Sequence, residues 1–356
     1  MDLIFEIQDM WQEYDMDRLK GSLETLFPQV SISLEELFEQ VLTGDLLGAM
    51  TRLMQGVMDG LGAQFGGMRN ILVWLLVLGI ASSLTGYFAD IFDKHQISDL
   101  GFYVMYLLMS TVLLTCFEQA ADTAVQAMEN VVLFIRLLVP TYLLAVGVAM
   151  GTTTVGASYQ LILLLIYGVE NILVAGVIPL VYSYCMLAIV NGIWIEQKLT
   201  MCMDLLAKAI RAILKVSVGA VTGVSVFQSV ITPVIDSVKA SAVQKAISAI
   251  PGVGNAADGV VELVTGTAVI IKNSMGVVLL ILLLVLCAGP MIKMCLIACL
   301  LKAAAALMGI VSDKRLSACT DKVGEGSMLL LRTAGTAMLL FLITISIVAT
   351  ATNRGF

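Results

Sequence analysis

The sequence predicts an all-α fold: a polytopic helical membrane protein with about seven to nine spans. It also predicts an amphipathic N-terminal head and a helical hairpin, re-entrant or membrane-capping. Three observations lead there. Of 356 residues, 59% are hydrophobic and only 13% are charged, against about 45–50% apolar and ~25% charged in soluble domains. A water-soluble core cannot hide that apolar excess at this length. The apolar residues come in runs of about 20 rather than in short alternating strands, which selects helices over a transmembrane barrel.

Residues 1–69 read as an acidic head of short amphipathic helices. Twelve of the 27 acidic residues lie in the first 65 positions, against three basic ones. Ser33 and Glu36 form a capping box, and Leu34, Leu37, Phe38, Val41 and Leu42 then recur on one helical face. Such a face rests on a membrane surface or a partner helix. No signal-peptide pattern opens the chain, so an extracytoplasmic head leaves open a start upstream of Met1.

Residues 70–195 read as a membrane bundle of about five spans. They fall near 70–88, 101–117 and 131–150, with 159–195 split at Pro179. Residues 196–235 read as a basic cytoplasmic amphipathic helix followed by a span, 236–276 as the hairpin, and 277–356 as C-terminal spans with a basic cytoplasmic segment at 312–327. The segment 118–130, "EQAADTAVQAMEN", has three acids and no Lys or Arg and reads as an outside loop. The Lys- and Arg-bearing segments 196–215 and 312–327 belong inside. Counting back from 196–215 puts the acidic head outside.

The hairpin rests on "AIPGVGNAADGVVE". Pro251 cannot donate an amide hydrogen, and Gly252 and Gly254 permit a tight turn. A helix of about 237–249 is expected to end here, and a second to begin near Asn255 and carry Asp258 and Glu262 on one face.

No enzyme is visible. One histidine, His95, stands alone, and neither H-E-x-x-H nor G-x-S-x-G occurs. "PGVGNAADG" is not followed by the lysine of a phosphate-binding loop. The seven cysteines are scattered, without C-x-x-C, and read as small apolar filler. No catalytic residue, cofactor or metal site is therefore expected, and the acidic balance argues against nucleic acid as a partner. The functional candidates are instead polar residues within apolar runs, where each charge is costly. Glu170 with Asn171 is about mid-span, and Lys272 with Asn273 follows the hairpin. Arg136 and Arg332 lie close enough to span starts to snorkel, while Lys302 leaves 294–311 either a span or a surface helix.

The motifs "AISAIPGVGNAADGVVE", "IIKNSMG", "GPMIK" and "SDKRLSAC", in that order and spacing over about 240–330, resemble the C-terminal half of stage III sporulation protein AE of endospore-forming bacteria. The resemblance departs at "MGIVSDKR", where family members usually carry a proline before the Asp-x-Arg, and at the missing signal peptide. It implies a multi-pass protein of the mother-cell membrane surrounding the forespore. The implied partners are the other stage III sporulation A-operon proteins (an ATPase, ring-forming and membrane subunits) and a forespore membrane protein met across the intermembrane space. A homo-oligomer is compatible. Two function classes stay open: the transport core of a secretion-like complex, with Glu170, Lys272 and the broken helices along a wet path, and a scaffold whose polar groups only pair helices. The G-x-x-x-G pairs Gly147/Gly151 and Gly219/Gly223 suit both.

Overall fold

The computed structural model describes residues 70–84, 95–150, 171–194, 198–247 and 254–351, with positions 48, 51, 55, 164, 167 and 168. Side chains are described outside 95–99, 138–150, 224–247, 254–275 and 346–351. The described chain is helical: α1 (Asn70–Leu84), α2 (His95–Met150), α3 (Ile178–Ile193, continuing a π-helical stretch Asn171–Val177), α4 (Thr200–Ile247), α5 (Gly254–Val311) and α6 (Lys314–Ala351). Among the described residues, four helical stretches are long and apolar enough to cross a membrane: Leu100–Leu137, Asn171–Ile193, Gly276–Val311 and Lys314–Ile345. The shorter α1 is apolar as well.

Side-chain contacts set the directions. Along α2 and α6, Arg315 covers the Phe102 ring, Tyr106 meets Cys319, and Phe117 lies against Gly326, so the two run parallel. Helix α3 runs against them, with Ile189 at Tyr106, Tyr184 at Glu325 and Tyr182 edge-on to Phe117. Helix α5 also opposes α6, through Ser317 on Ala305, Lys302 on Asp321 and Met291 on Gly335. Helix α4 runs with α6, since Thr200 meets Asn191 and Arg211 meets Glu325. Successive helices thus alternate, and Trp194 with Lys198, and Ser312 with Asp313, lie at one end, called here the near end. Helix α6 is central: it packs on α2, α3, α4 and α5, and none of residues 315–331 is exposed.

Several expectations change. Residues 118–130 are not a loop but part of α2, with Ala120, Ala121, Ala124, Ala127 and Met128 buried in the core. Alanine, glutamine, glutamate and methionine favour helix, and no glycine or proline interrupts them. Pro179 does not separate two spans, because the helix from Asn171 continues through it to Ile193. The change from π to α geometry just ahead of Pro179 accommodates its missing amide and its ring. Residues 277–289 and 294–311 are one helix through Pro290, and 216–235 continues 200–215.

The hairpin's arms also differ. Helix α4 ends at Ile247 and α5 begins at Gly254, so both arms are ends of long helices. No break occurs near Gly276, where one helical glycine costs only about 1 kcal/mol. Pro251 and Gly252 lie outside the described residues, as does Glu170.

Candidate functional site

Four helices meet around one carboxylate. Glu325 on α6 accepts hydrogen bonds from Arg211 Nη2 of α4 (2.9 Å), from the Tyr184 hydroxyl of α3 (2.9 Å) and from Lys322 Nζ one turn earlier (3.2 Å). Beside it, Lys302 Nζ of α5 donates to Asp321 Oδ1 at 2.6 Å. Glycines admit these long side chains. A Cβ at Gly324 would meet Leu301 Cβ at 3.3 Å and Lys302 Cγ at 3.4 Å, and one at Gly326 would meet Phe117 at 3.4 Å and Tyr184 at 3.5 Å. Arg211 Nε is enclosed and has no hydrogen-bond partner among the described residues.

The cluster lies along the flank of α6 between α4 and α5, which barely meet among the described residues. It is therefore a charged groove rather than a sealed core. The side chains of the three ion pairs retain 26–47% exposure. Twelve residues of helix separate Asp313 from Glu325, or about 18 Å of depth at 1.5 Å per residue. Apolar side chains are exposed over this depth: Trp74, Leu100, Leu107, Met186, Val190 and Ile310 near the end, then Val216, Ile172 and Leu339 further along. A hydrocarbon core is about 30 Å thick, so the groove lies roughly half-way through the apolar zone.

A second polar arrangement closes the near end. Asp313 Oδ1 accepts from the Arg315 amide at 2.8 Å, and Asp313 Oδ2 accepts from Arg315 Nη2 at 3.1 Å. The Arg315 guanidinium stands 3.5 Å from the Phe102 ring centre. Burial pushes the Asp313 carboxyl upward, but the Arg315 hydrogen bonds outweigh it and hold the group below its ordinary value. The Tyr106 hydroxyl bridges the Ile189 carbonyl and Cys319 Sγ. Asn191 Oδ1 accepts from the Leu199 amide at 2.8 Å and fixes the α3–α4 turn.

The motif residues can now be located. Asp313, Arg315 and Cys319 of "SDKRLSAC" join the near end of α6 to α2. Pro290 lies within α5, and Met291 packs on Gly335. A family model described as "Stage III sporulation protein AE (spore_III_AE)" matches residues 32–352. The chain belongs to the stage III sporulation protein AE family. Stage III sporulation protein AE of Bacillus subtilis (strain 168) is 23% identical over 287 residues, covering 80% of this chain and 71% of that protein. No solved structure matches.

Of the polar residues Glu170, Asn171, Asp258, Glu262, Lys272 and Asn273 predicted for this family member, only Asn171 has a described side chain. Asn171 opens the π-helical stretch with its side chain exposed. Gly254 begins α5, and Asp258, Glu262, Lys272 and Asn273 follow on its first turns, their side chains outside the described set. Lys302, singled out as costly, reaches the groove through Asp321. Glu325, Asp321 and Tyr184 were missed. The available signal was "TDKVGEGSM", where acids and bases three and four residues apart alternate with glycines in a run without proline.

Proposed function

We propose that this chain is the transport core of the membrane complex joining mother cell and forespore during endospore formation, as a non-enzymatic subunit of a secretion-like channel. The observation that carries the reading is the charged groove around Glu325, about half-way through a zone of exposed apolar side chains. Ionisable groups at such depth are costly and commonly mark ion or substrate pathways. The sporulation role is supported by the family. The proposed setting is the mother-cell membrane around the forespore. The proposed partners are the ATPase, ring-forming and membrane proteins of the same operon, with a forespore membrane protein across the intermembrane space.

One observation favours a second reading, a non-transporting scaffold. Arg211, Lys302, Asp321, Lys322 and Glu325 each have an oppositely charged neighbour, so the groove can serve only to lock helices. Exchanging one pair separates the two. Lys302→Asp together with Asp321→Lys keeps the attraction but inverts the charges facing the groove. For a transport path, the exchanged protein reaches the membrane in normal amounts while spore yield falls at least tenfold. Spore yield at the wild-type level would leave the scaffold.

A further inference from the structure

The outward face of α2 changes character along its length. Its exposed residues near the end are Leu100, Tyr103, Val104, Leu107 and Leu108. From Glu118 to Asn130 they are polar, and Glu118, Asp122 and Glu129, four and seven residues apart, form one acidic stripe that ends before Leu133 and Arg136. Its depth follows from Phe117 on Gly326, so the stripe runs beside the α6 residues just beyond Gly326. At that depth other helices expose Val216, Ile172 and Leu339. Carboxylates on this surface cannot face lipid without a large penalty.

Helix α4 carries the opposite charge from Lys208 onward, beyond the exposed Asp204. Lys208 and Lys215 are exposed, seven residues apart, and bracket Arg211, whose pairing with Glu325 sets their depth. Glu118, Asp122, Glu129, Lys208 and Lys215 have no ion-pair partner among the described residues. Helix α3 lies between α2 and α4, so the two stripes occupy different flanks of the bundle and do not meet within one chain. Lys215 is four residues beyond Arg211, and Asp122 is five beyond Phe117. Each is about 6–8 Å past the level of Glu325 and Gly326. Below Lys215, Gly219 and Gly223 continue the same stripe, and a Cβ on either would meet nothing within 4 Å. A second helix can approach closely there.

We propose that the acidic stripe of α2 docks on the basic stripe of α4 of a second copy of this chain, side by side and in the same orientation. Matching depths require parallel copies. Because each copy offers one stripe of each sign on different flanks, the contact is head-to-tail and repeats from copy to copy. The inference rests on the membrane reading above but not on transport.

The test places a photo-crosslinking amino acid at Gln126 of the full chain in its native membrane. A product of twice the chain mass is expected, with the crosslink mapping to α4 near Gly219. Asp122→Lys should reduce it at least tenfold, and Asp122→Lys combined with Lys215→Asp should restore it. No homotypic product, or a product indifferent to both changes, overturns the docking. Carbonate extraction of the same membranes separates the two failures: a chain that is washed out sinks the membrane reading too, whereas one that stays sinks the docking alone.

Discussion

Arg211 Nη2 lies 2.9 Å from Glu325 Oε1, and the pair joins α4 to the central helix across 114 positions of sequence. The same carboxylate already takes the Tyr184 hydroxyl and the Lys322 amine. One side chain thus holds three elements at a common level. Glu325→Ala strands two cations and a hydroxyl, and partial solvent access limits the loss to about 1–2 kcal/mol. Glu325→Gln still accepts from Tyr184 and should lose less. Thermal unfolding in detergent checks the order; equal melting temperatures for the two variants would mean that the carboxylate network does not hold the bundle.

Gly192 gives the tightest contact at the near end. A Cβ there would collide with the Tyr106 hydroxyl and stand 3.1 Å from Cys319 Cβ. Gly192→Ala is expected to destabilise by about 1–3 kcal/mol through overpacking. Tyr106→Phe removes the colliding oxygen at the expense of its bond to Ile189. The double variant should therefore be more stable than the sum of the single losses. Additive losses would mean the two sites do not touch.

The Asp313–Arg315 clamp predicts a pH dependence. The folded carboxyl titrates below its ordinary 3.8 because Arg315 bonds the charged form. Its contribution is present above that value and fades as pH falls through the lower folded value. Asp313→Asn should melt below the wild type at pH 7, and the gap should close in strong acid. A gap that persists there would show that the carboxylate charge is not the cause.

Lys198, Lys314 and Arg315 flank the two near-end connections, and basic connections stay inside, so the near end is expected on the cytoplasmic side. A cysteine at Lys314 should resist a membrane-impermeant maleimide in intact cells, while one at Ser248, next in sequence after the end of α4 at Ile247, should react. Reversed labelling would invert the orientation. Ala124 and Ala207 make poor probes, since both are buried.

Much of the architecture was legible as a class and little of it as a set of contacts. The apolar runs announced helices, and the composition announced a membrane. The run 118–130 misled because charge was read as exposure to water at a turn. Glu118, Asp122 and Glu129 instead share one outward stripe, with alanines packed on the inward side. Lys302 looked like an isolated cost until Asp321, nineteen residues on, folded back against it.

The sequence by itself determined the helical membrane class and the family, because apolar run length and the order and spacing of motifs are properties of the chain alone. Only the tertiary structure decided that α6 is central, that Arg211 and Tyr184 both find Glu325, and that α4 and α5 leave a charged groove between them. Helical periodicity shows which residues share a face. Which face another helix covers, and at what register, depends on side-chain packing between segments more than a hundred residues apart, where glycines such as Gly192 and Gly326 set how closely they approach.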